Sequence, residues 1–248
     1  MHGLTEALLI TSLFFIAGIM KGFFGIGIPP VILGVLTFFY DPRQVVILML
    51  IPIVASNARQ AFIGISPLVI LQKHIWLLPV STVVIFGTVY VSGNLPTNVL
   101  LTLTGVAMIL FSVTSLIGRV PPVSEHWKVP MQIISGALSG LLGGVSGIWG
   151  PPLMIYLLAS RLANAELIQT IGVFFFFLSG FMTLGIAASG EMTVGGTFLS
   201  FLLIMPVIFG MKLGERFRGL LNDAVFIQWF LVVFLLLGFN LLRRGIWS

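Results

Sequence analysis

An apolar segment interrupted by glycine and proline occurs twice in this chain, and it limits the possible folds more than any other feature. Gly18, Lys21, Gly22, Gly25, Gly27, Pro29 and Pro30 are echoed by Gly136, Ser139, Gly140, Gly143, Gly144, Ser146, Gly147, Trp149, Gly150, Pro151 and Pro152. A shorter match pairs Gly87-Thr88-Val89-Tyr90 with Gly210-Met211-Lys212-Leu213. The chain therefore reads as a tandem duplication, residues 1–120 and 128–248, joined by the polar linker 121–127 into one membrane domain. Proline has no amide proton to donate inside a helix, yet it suits the first turn of a new one. Each interrupted segment is expected to break and restart near Pro29 and Pro151.

The surroundings of these breaks decide the solvent. Apolar stretches run over Leu4–Met20, Val45–Ile63, Ile75–Val91, Val99–Ile117, Val129–Leu158, Leu167–Ala188, Val194–Met211 and Ala224–Leu242. Crossing ~30 Å of hydrocarbon takes about 20 helical residues, a length these stretches approach or exceed. Hydrophobic residues make up 58% of the chain and charged ones only 8%, against about a quarter charged in soluble domains. Such a chain cannot hide its apolar surface in a water-soluble core. No alternating pattern suggests a barrel, and an open sheet edge is not tolerated in lipid, so the expected fold is an all-α polytopic membrane protein. The first stretch has no positively charged leading region and flows straight into the first break, so it is expected to stay in the mature protein.

Composition also removes several chemistries. There is no cysteine, which excludes a disulfide framework, a thiolate metal site and a cysteine nucleophile. The net charge of +5 comes from twelve lysines and arginines scattered singly between apolar stretches. A nucleic-acid surface would gather them into a stripe. His2, His74 and His126 all fall near stretch ends, and no carboxylate accompanies a buried serine, so neither an intramembrane enzyme nor a metal site is expected. No cofactor is expected either.

The breaks point to a transporter. A helix that restarts within the membrane presents free N–H groups and the positive end of its dipole, a setting that favours an anion. Discontinuous helices in matching positions of two repeats mark a transporter's substrate site. Gly18, Gly22 and Gly25 share one helical face and equally suit close helix packing, but packing alone does not account for a Pro-Pro pair after each cluster. Lys21 sits at the lip of the first break and Arg59 within the second stretch, where a cation costs about 2.5–3.5 kcal/mol. Arg43 and Arg161 follow the restarted helices and suit interfacial anchors, with Arg161 also a candidate ligand. Every acidic residue, Glu6, Asp41, Glu125, Glu166, Glu191, Glu215 and Asp223, lies at a stretch end or in a loop. That distribution argues against a sodium or proton-relay site and for an anion moving by itself. The candidate binding set is Lys21, Gly25, Gly27, Asn57, Arg59, Ser146, Gly147, Trp149, Gly150, Arg161 and Gln169, with Pro29, Pro30, Pro151 and Pro152 setting the breaks. Ser56, Gln60 and Thr170 are neutral polar neighbours that suit either a pocket or interhelical glue.

These residues carry a resemblance. The duplicated halves, the Gly-rich opening of each, the prolines after it, Ser160-Arg161-Leu162 after the second restarted helix, and the pair Gly87 and Gly210 together resemble the sulfite exporter TauE/SafE family of membrane permeases. The likeness covers essentially the whole chain. It implies export of sulfite, of organosulfonates such as sulfoacetate or sulfolactate, or of related sulfur-containing anions across the bacterial cytoplasmic (inner) membrane. Family members often carry three consecutive glycines in the first break, where this chain has Gly25-Ile26-Gly27. The expected partners are a small sulfur-containing anion and the lipid bilayer, with a homo-oligomer also compatible. An anion channel or an uptake permease for a similar oxyanion is the alternative, since the same positive site would serve either.

Two topologies fit the pattern. If each interrupted segment crosses fully, lysine and arginine divide evenly between the two sides. If each is a re-entrant hairpin, the halves have three true crossings each and opposite orientations. Lys73, Arg119, Lys128, Arg161, Lys212, Arg216 and Arg218 then share one side against Arg43, Arg243 and Arg244. Positive residues gather on the cytoplasmic side, so the charge bias favours the second topology, with a cytoplasmic linker and inverted repeats.

Overall fold

The computed structural model describes residues 2–117, 120–217 and 223–247, and every regular element among them is helical. The first half comprises α1 (His2–Phe24), α2 (Ile28–Leu36), α3 (Pro42–Ala61), α4 (Pro67–Lys73), α5 (Leu77–Ser92) and α6 (Thr97–Ile117). After one 3₁₀ turn at Glu125–Trp127, the second half comprises α7 (Lys128–Ser146), α8 (Gly150–Ala159), α9 (Asn164–Ala188), α10 (Val194–Leu202), α11 (Ile204–Phe217) and α12 (Asp223–Trp247). Among the described residues, 6 helices are long and apolar enough to cross a membrane, or 7 when α4 and α5, bent by 89°, count as one span. The bent pair was not apparent in the sequence. Arg119 and Arg218 of the charge tally lie outside the described residues.

Both breaks form where proline and glycine place them. α2 restarts at Ile28 with Pro29 and Pro30 in its first turn, and α8 restarts at Gly150 with Pro151 and Pro152 in its own. Gly25 (φ 79), Gly27 (φ 136) and Gly147 (φ 70) adopt conformations that a Cβ opposes. The restarted helices have 9 and 10 residues, and at ~1.5 Å per residue they are too short to span the bilayer.

Each restarted helix leads the chain back to the end of the bundle it came from. The Tyr40 hydroxyl, just after α2, donates to Glu6 near the start of α1. In the second half, the amide of Val123 donates to the carbonyl of Ala159 at the end of α8 (3.0 Å), and Arg161 donates to the carbonyl of Val120 (2.9 Å). Interhelical bonds identify two opposite ends. One gathers Glu6, Tyr40, Asp41 with Thr97, Arg43 with Ser92 and Glu191, and Arg244 with the Thr37 carbonyl. The other gathers Lys73 with Glu166, Arg59 with Glu215, and Ile65 with Gln169. α1 and α3 run from the first end to the second, and α7 and α9 run the other way.

The packing partners have the same reciprocity. α1 lies along α11 and α7 along α5, while α3 pairs with α9 and α6 with α12. Exchanging the halves maps this set onto itself. The centre is the α3–α9 contact, where Met49, Leu50, Ile53, Phe174, Leu178 and Met182 are buried. Leu8, Phe198, Phe201 and Phe209 are exposed on the outer surface, where lipid accommodates them.

A partly buried ion pair ties the first end together across the halves. Arg43, at the start of α3, bonds both carboxylate oxygens of Glu191 (2.6 and 2.7 Å) and the Ser92 hydroxyl (2.7 Å). The Arg43 hydrogen bonds hold the Glu191 carboxyl below its ordinary range. A depressed folded pKa contributes stability that is present above the unfolded carboxylate value and lost as pH falls through the folded one. Glu191→Gln is therefore expected to melt a few degrees below the native protein at neutral pH, with the gap closing below about pH 4. Melting curves of both proteins across this range check it, and a gap that persists unchanged in acid contradicts it.

Candidate functional site

Lys21 lies in the last turn of α1, where the helix carries it into the bundle. It is only 2% exposed. Its ammonium donates to Asn57 Oδ1 (2.6 Å), Gln60 Oε1 (3.3 Å) and the Gly25 carbonyl (3.4 Å). All three partners are neutral, and Lys21 takes part in none of the four ion pairs among the described residues. A buried charge without a counter-charge is costly, and an anion beside it would relieve that cost.

Arg59 has a different environment. Its side chain is 41% exposed and donates to both oxygens of Glu215 (2.9 and 2.8 Å). Both residues border a cavity of about 470 Å³ lined by Lys21, Gly25, Arg59, Gln60, Glu166, Gln169 and Glu215, among others. The Gln169 carboxamide forms part of the wall: Nε2 donates to the carbonyls of Ala61 (3.1 Å) and Ile65 (2.5 Å), while Oε1 accepts from the Ile65 amide (2.9 Å). Gln60 Nε2 donates to the Ile168 carbonyl (2.6 Å), linking α3 to α9 across the cavity.

Five of the candidate binding residues, with their neighbour Gln60, thus come together. Lys21, Gly25, Arg59 and Gln169 line the cavity, and Asn57 reaches it through Lys21. Gly27 caps α2 close by. Ser146, Gly147, Trp149 and Gly150 gather instead at the second break. There a Cβ on Gly147 would come within 2.7 Å of the Met49 methyl, and one on Gly150 within 3.1 Å of the Phe111 ring. Trp149 is buried against Phe175. Ser146 bonds within the break, accepting from the Ile148 amide (3.2 Å). Arg161 is exposed and holds the linker through Val120.

The prolines change what the helix ends can offer. Pro29 and Pro30 leave only Ile28 among the first three residues of α2 with an N–H, and Pro151 and Pro152 leave only Gly150 in α8. The residues that restart each helix also delete most of its free donors. The carboxylates Glu166 and Glu215, which the sequence places at stretch ends, belong to the same cavity wall. Their pairing with Lys73 and Arg59 was not legible, because those partners lie on helices of the other half.

Other cavities suit an anion less. One of about 340 Å³ at the opposite end is lined by Glu6 and Glu191 with no lysine or arginine in its wall, and another is walled by Phe176, Phe177 and Phe181. Among the described residues no group of three or more histidines or carboxylates could hold a metal ion.

Comparison with known proteins adds the solute class. No individually curated protein and no solved structure matches this chain. The sequence model of the sulfite exporter TauE/SafE family matches residues 10–241, which spans both halves of the chain, the two breaks and the whole cavity wall. With a matching all-helical, multi-pass architecture, the chain belongs to the sulfite exporter TauE/SafE family of membrane transporters of sulfur-containing anions.

Proposed function

We propose that the cavity at Lys21 is the substrate site of a secondary transporter that exports sulfite, an organosulfonate or a related sulfur-containing anion across a bacterial cytoplasmic membrane. The observation that carries this reading is the buried Lys21 ammonium, held by neutral oxygens alone on the wall of a cavity of about 470 Å³. In this reading the halves are inverted repeats, and the anion enters beside the first break.

Charge supports the outward direction. The cavity lies at the end of the bundle that carries Lys73, Lys128, Arg161 and Arg216, which the positive-inside tendency assigns to the cytoplasm. The site then faces the compartment from which an exported solute comes. An inside-negative potential drives a single negative charge outward with ~2.3 kcal/mol per 100 mV. No described carboxylate is fully buried, so no coupling cation is invoked.

Efflux of sulfite and of sulfoacetate from proteoliposomes at a clamped potential, with and without a proton gradient, tests the reading. Efflux is expected to rise with inside-negative potential in the absence of any proton gradient. Strict dependence on a proton gradient, or no movement of either anion, overturns it.

A further inference from the structure

We propose that Arg43 and Glu191 form the outer gate of the transport path, the contact that must part before an anion held at Lys21 leaves at the opposite end. The inference rests on the reading of the Lys21 cavity as the transport site. A carrier exposes such a site to one side at a time by moving its halves against each other. The end away from Lys21 therefore needs a contact that holds it shut and can let go.

Two ion pairs occupy corresponding places at the two ends. Each joins the first turn of a central helix, α3 or α9, to the segment that follows the other central helix: Arg43 to Glu191 at one end, Glu166 to Lys73 at the other. They hold unequally. Lys73 donates to Glu166 alone among the described residues, its side chain is 50% exposed, and Glu166 lines the Lys21 cavity. The Arg43 side chain is 9% exposed, and its planar fork also reaches the Ser92 hydroxyl and the Val89 carbonyl (3.4 Å) on α5. Glu191 accepts a further bond from Ser189 (2.7 Å). One guanidinium thus fastens α3, α5 and the segment after α9, where the ammonium at the other end fastens two elements.

What lies on either side of this pair fits a gate. On one side, Glu191 borders a vestibule of about 490 Å³ lined also by Tyr90, Gly93, Asn94 and Ser189. On the other, Val46 lies one turn further into the bundle along α3 and Met49 one turn beyond that, both buried. The Met49 methyl is the atom nearest to a Cβ placed on Gly147, in the second break. Arg43 and Glu191 therefore stand between the vestibule and the second break. Parting them lets the segment after α9 move away from α3 while every helix stays intact.

The chain contains no cysteine, so a single introduced thiol reports exposure without background. Val46→Cys in the purified protein is expected to react slowly with a charged maleimide. Adding Glu191→Gln keeps the shape of the side chain and removes the charge that the fork holds. It is expected to raise the rate roughly tenfold or more, the population shift that loss of one charge-assisted bond gives. Arg43→Lys keeps the charge but not the fork and is expected to give an intermediate rate. Thr97→Val cuts another bond between helices at this end, to Asp41 (2.8 Å), and is expected to leave the rate within about twofold. A second reporter, Ile168→Cys, lines the Lys21 cavity and is expected to react no faster when Glu191→Gln is added. Fast labelling of Val46→Cys by itself, no increase with Glu191→Gln, or an equal increase with Thr97→Val overturns the gate. A matching rise at Ile168→Cys marks general loosening and overturns it too. Labelling uses no anion, so a failed gate leaves the anion site standing, and that site falls separately if the native protein moves neither sulfite nor sulfoacetate.

Discussion

Lys21→Met is expected to weaken sulfite and sulfonate binding by roughly ten- to a hundredfold, since a hydrogen bond from a charged donor is worth ~1.5–3 kcal/mol and each 1.4 kcal/mol is a factor of ten. Methionine nearly matches the length of lysine, so Asn57 and Gln60 keep their packing while the charge disappears. The variant should melt at the same temperature as the native protein or higher, because removing an unpaired buried charge relieves a desolvation cost. Loss of binding with retained stability separates a ligand from a structural residue. The double variant Arg59→Ala/Glu215→Ala is expected to change affinity less than about threefold, because the exposed pair it removes carries no net charge. Calorimetric titration of both variants decides between them. Equal losses would place Arg59 in the site, and undiminished binding by Lys21→Met would remove the ammonium from it.

Gly210→Ala is expected to be among the most damaging methyl additions at the described glycines. A Cβ there would lie 2.1 Å from the Phe15 carbonyl oxygen, and Gly214, Gly18 and Gly22 meet the opposing backbone just as closely, at 2.1, 2.3 and 2.1 Å. These glycines interlock α1 with α11 backbone to backbone, as small residues do where helices associate in lipid. No side chain can rotate to make room, so the helices must part along their contact. The cost is expected to reach or exceed the ~3 kcal/mol upper end of ordinary overpacking. Gly87→Ala is the internal control. It occupies the matching position of the repeat, yet its Cβ would meet nothing within 4 Å, so its effect should stay within ~0.5 kcal/mol. Thermal melting and size-exclusion profiles in detergent compare the two, and a Gly210→Ala protein as stable and monodisperse as the native one contradicts the α1–α11 packing.

The Gly87 and Gly210 pair shows how far a repeat can be read. The two positions match in local sequence, but only one is in a tight helix contact, because α11 meets α1 through its glycine face while α5 meets α7 through the glycines of α7. The same holds for the breaks. Pro29 and Pro151 mark both of them correctly, since the missing amide proton acts locally. Which break holds a charge was visible in Lys21 against Ser139. That the second break is packed with Trp149, Phe111 and Phe175 was not visible, because Phe111 and Phe175 reach it from α6 and α9.

Local chemistry and solvent determined the helices, the breaks and the membrane from sequence alone: apolar length selects the lipid, the lipid forces every backbone polar group to be satisfied within its segment, and proline interrupts only where it stands. Tertiary structure decided which charges are spent and which remains available. Arg59 and Lys21 look alike as lone cations in apolar stretches, and they differ because α11 brings Glu215 to one while only Asn57, Gln60 and a carbonyl reach the other. Electrostatic compensation depends on distance through space between helices far apart in the chain.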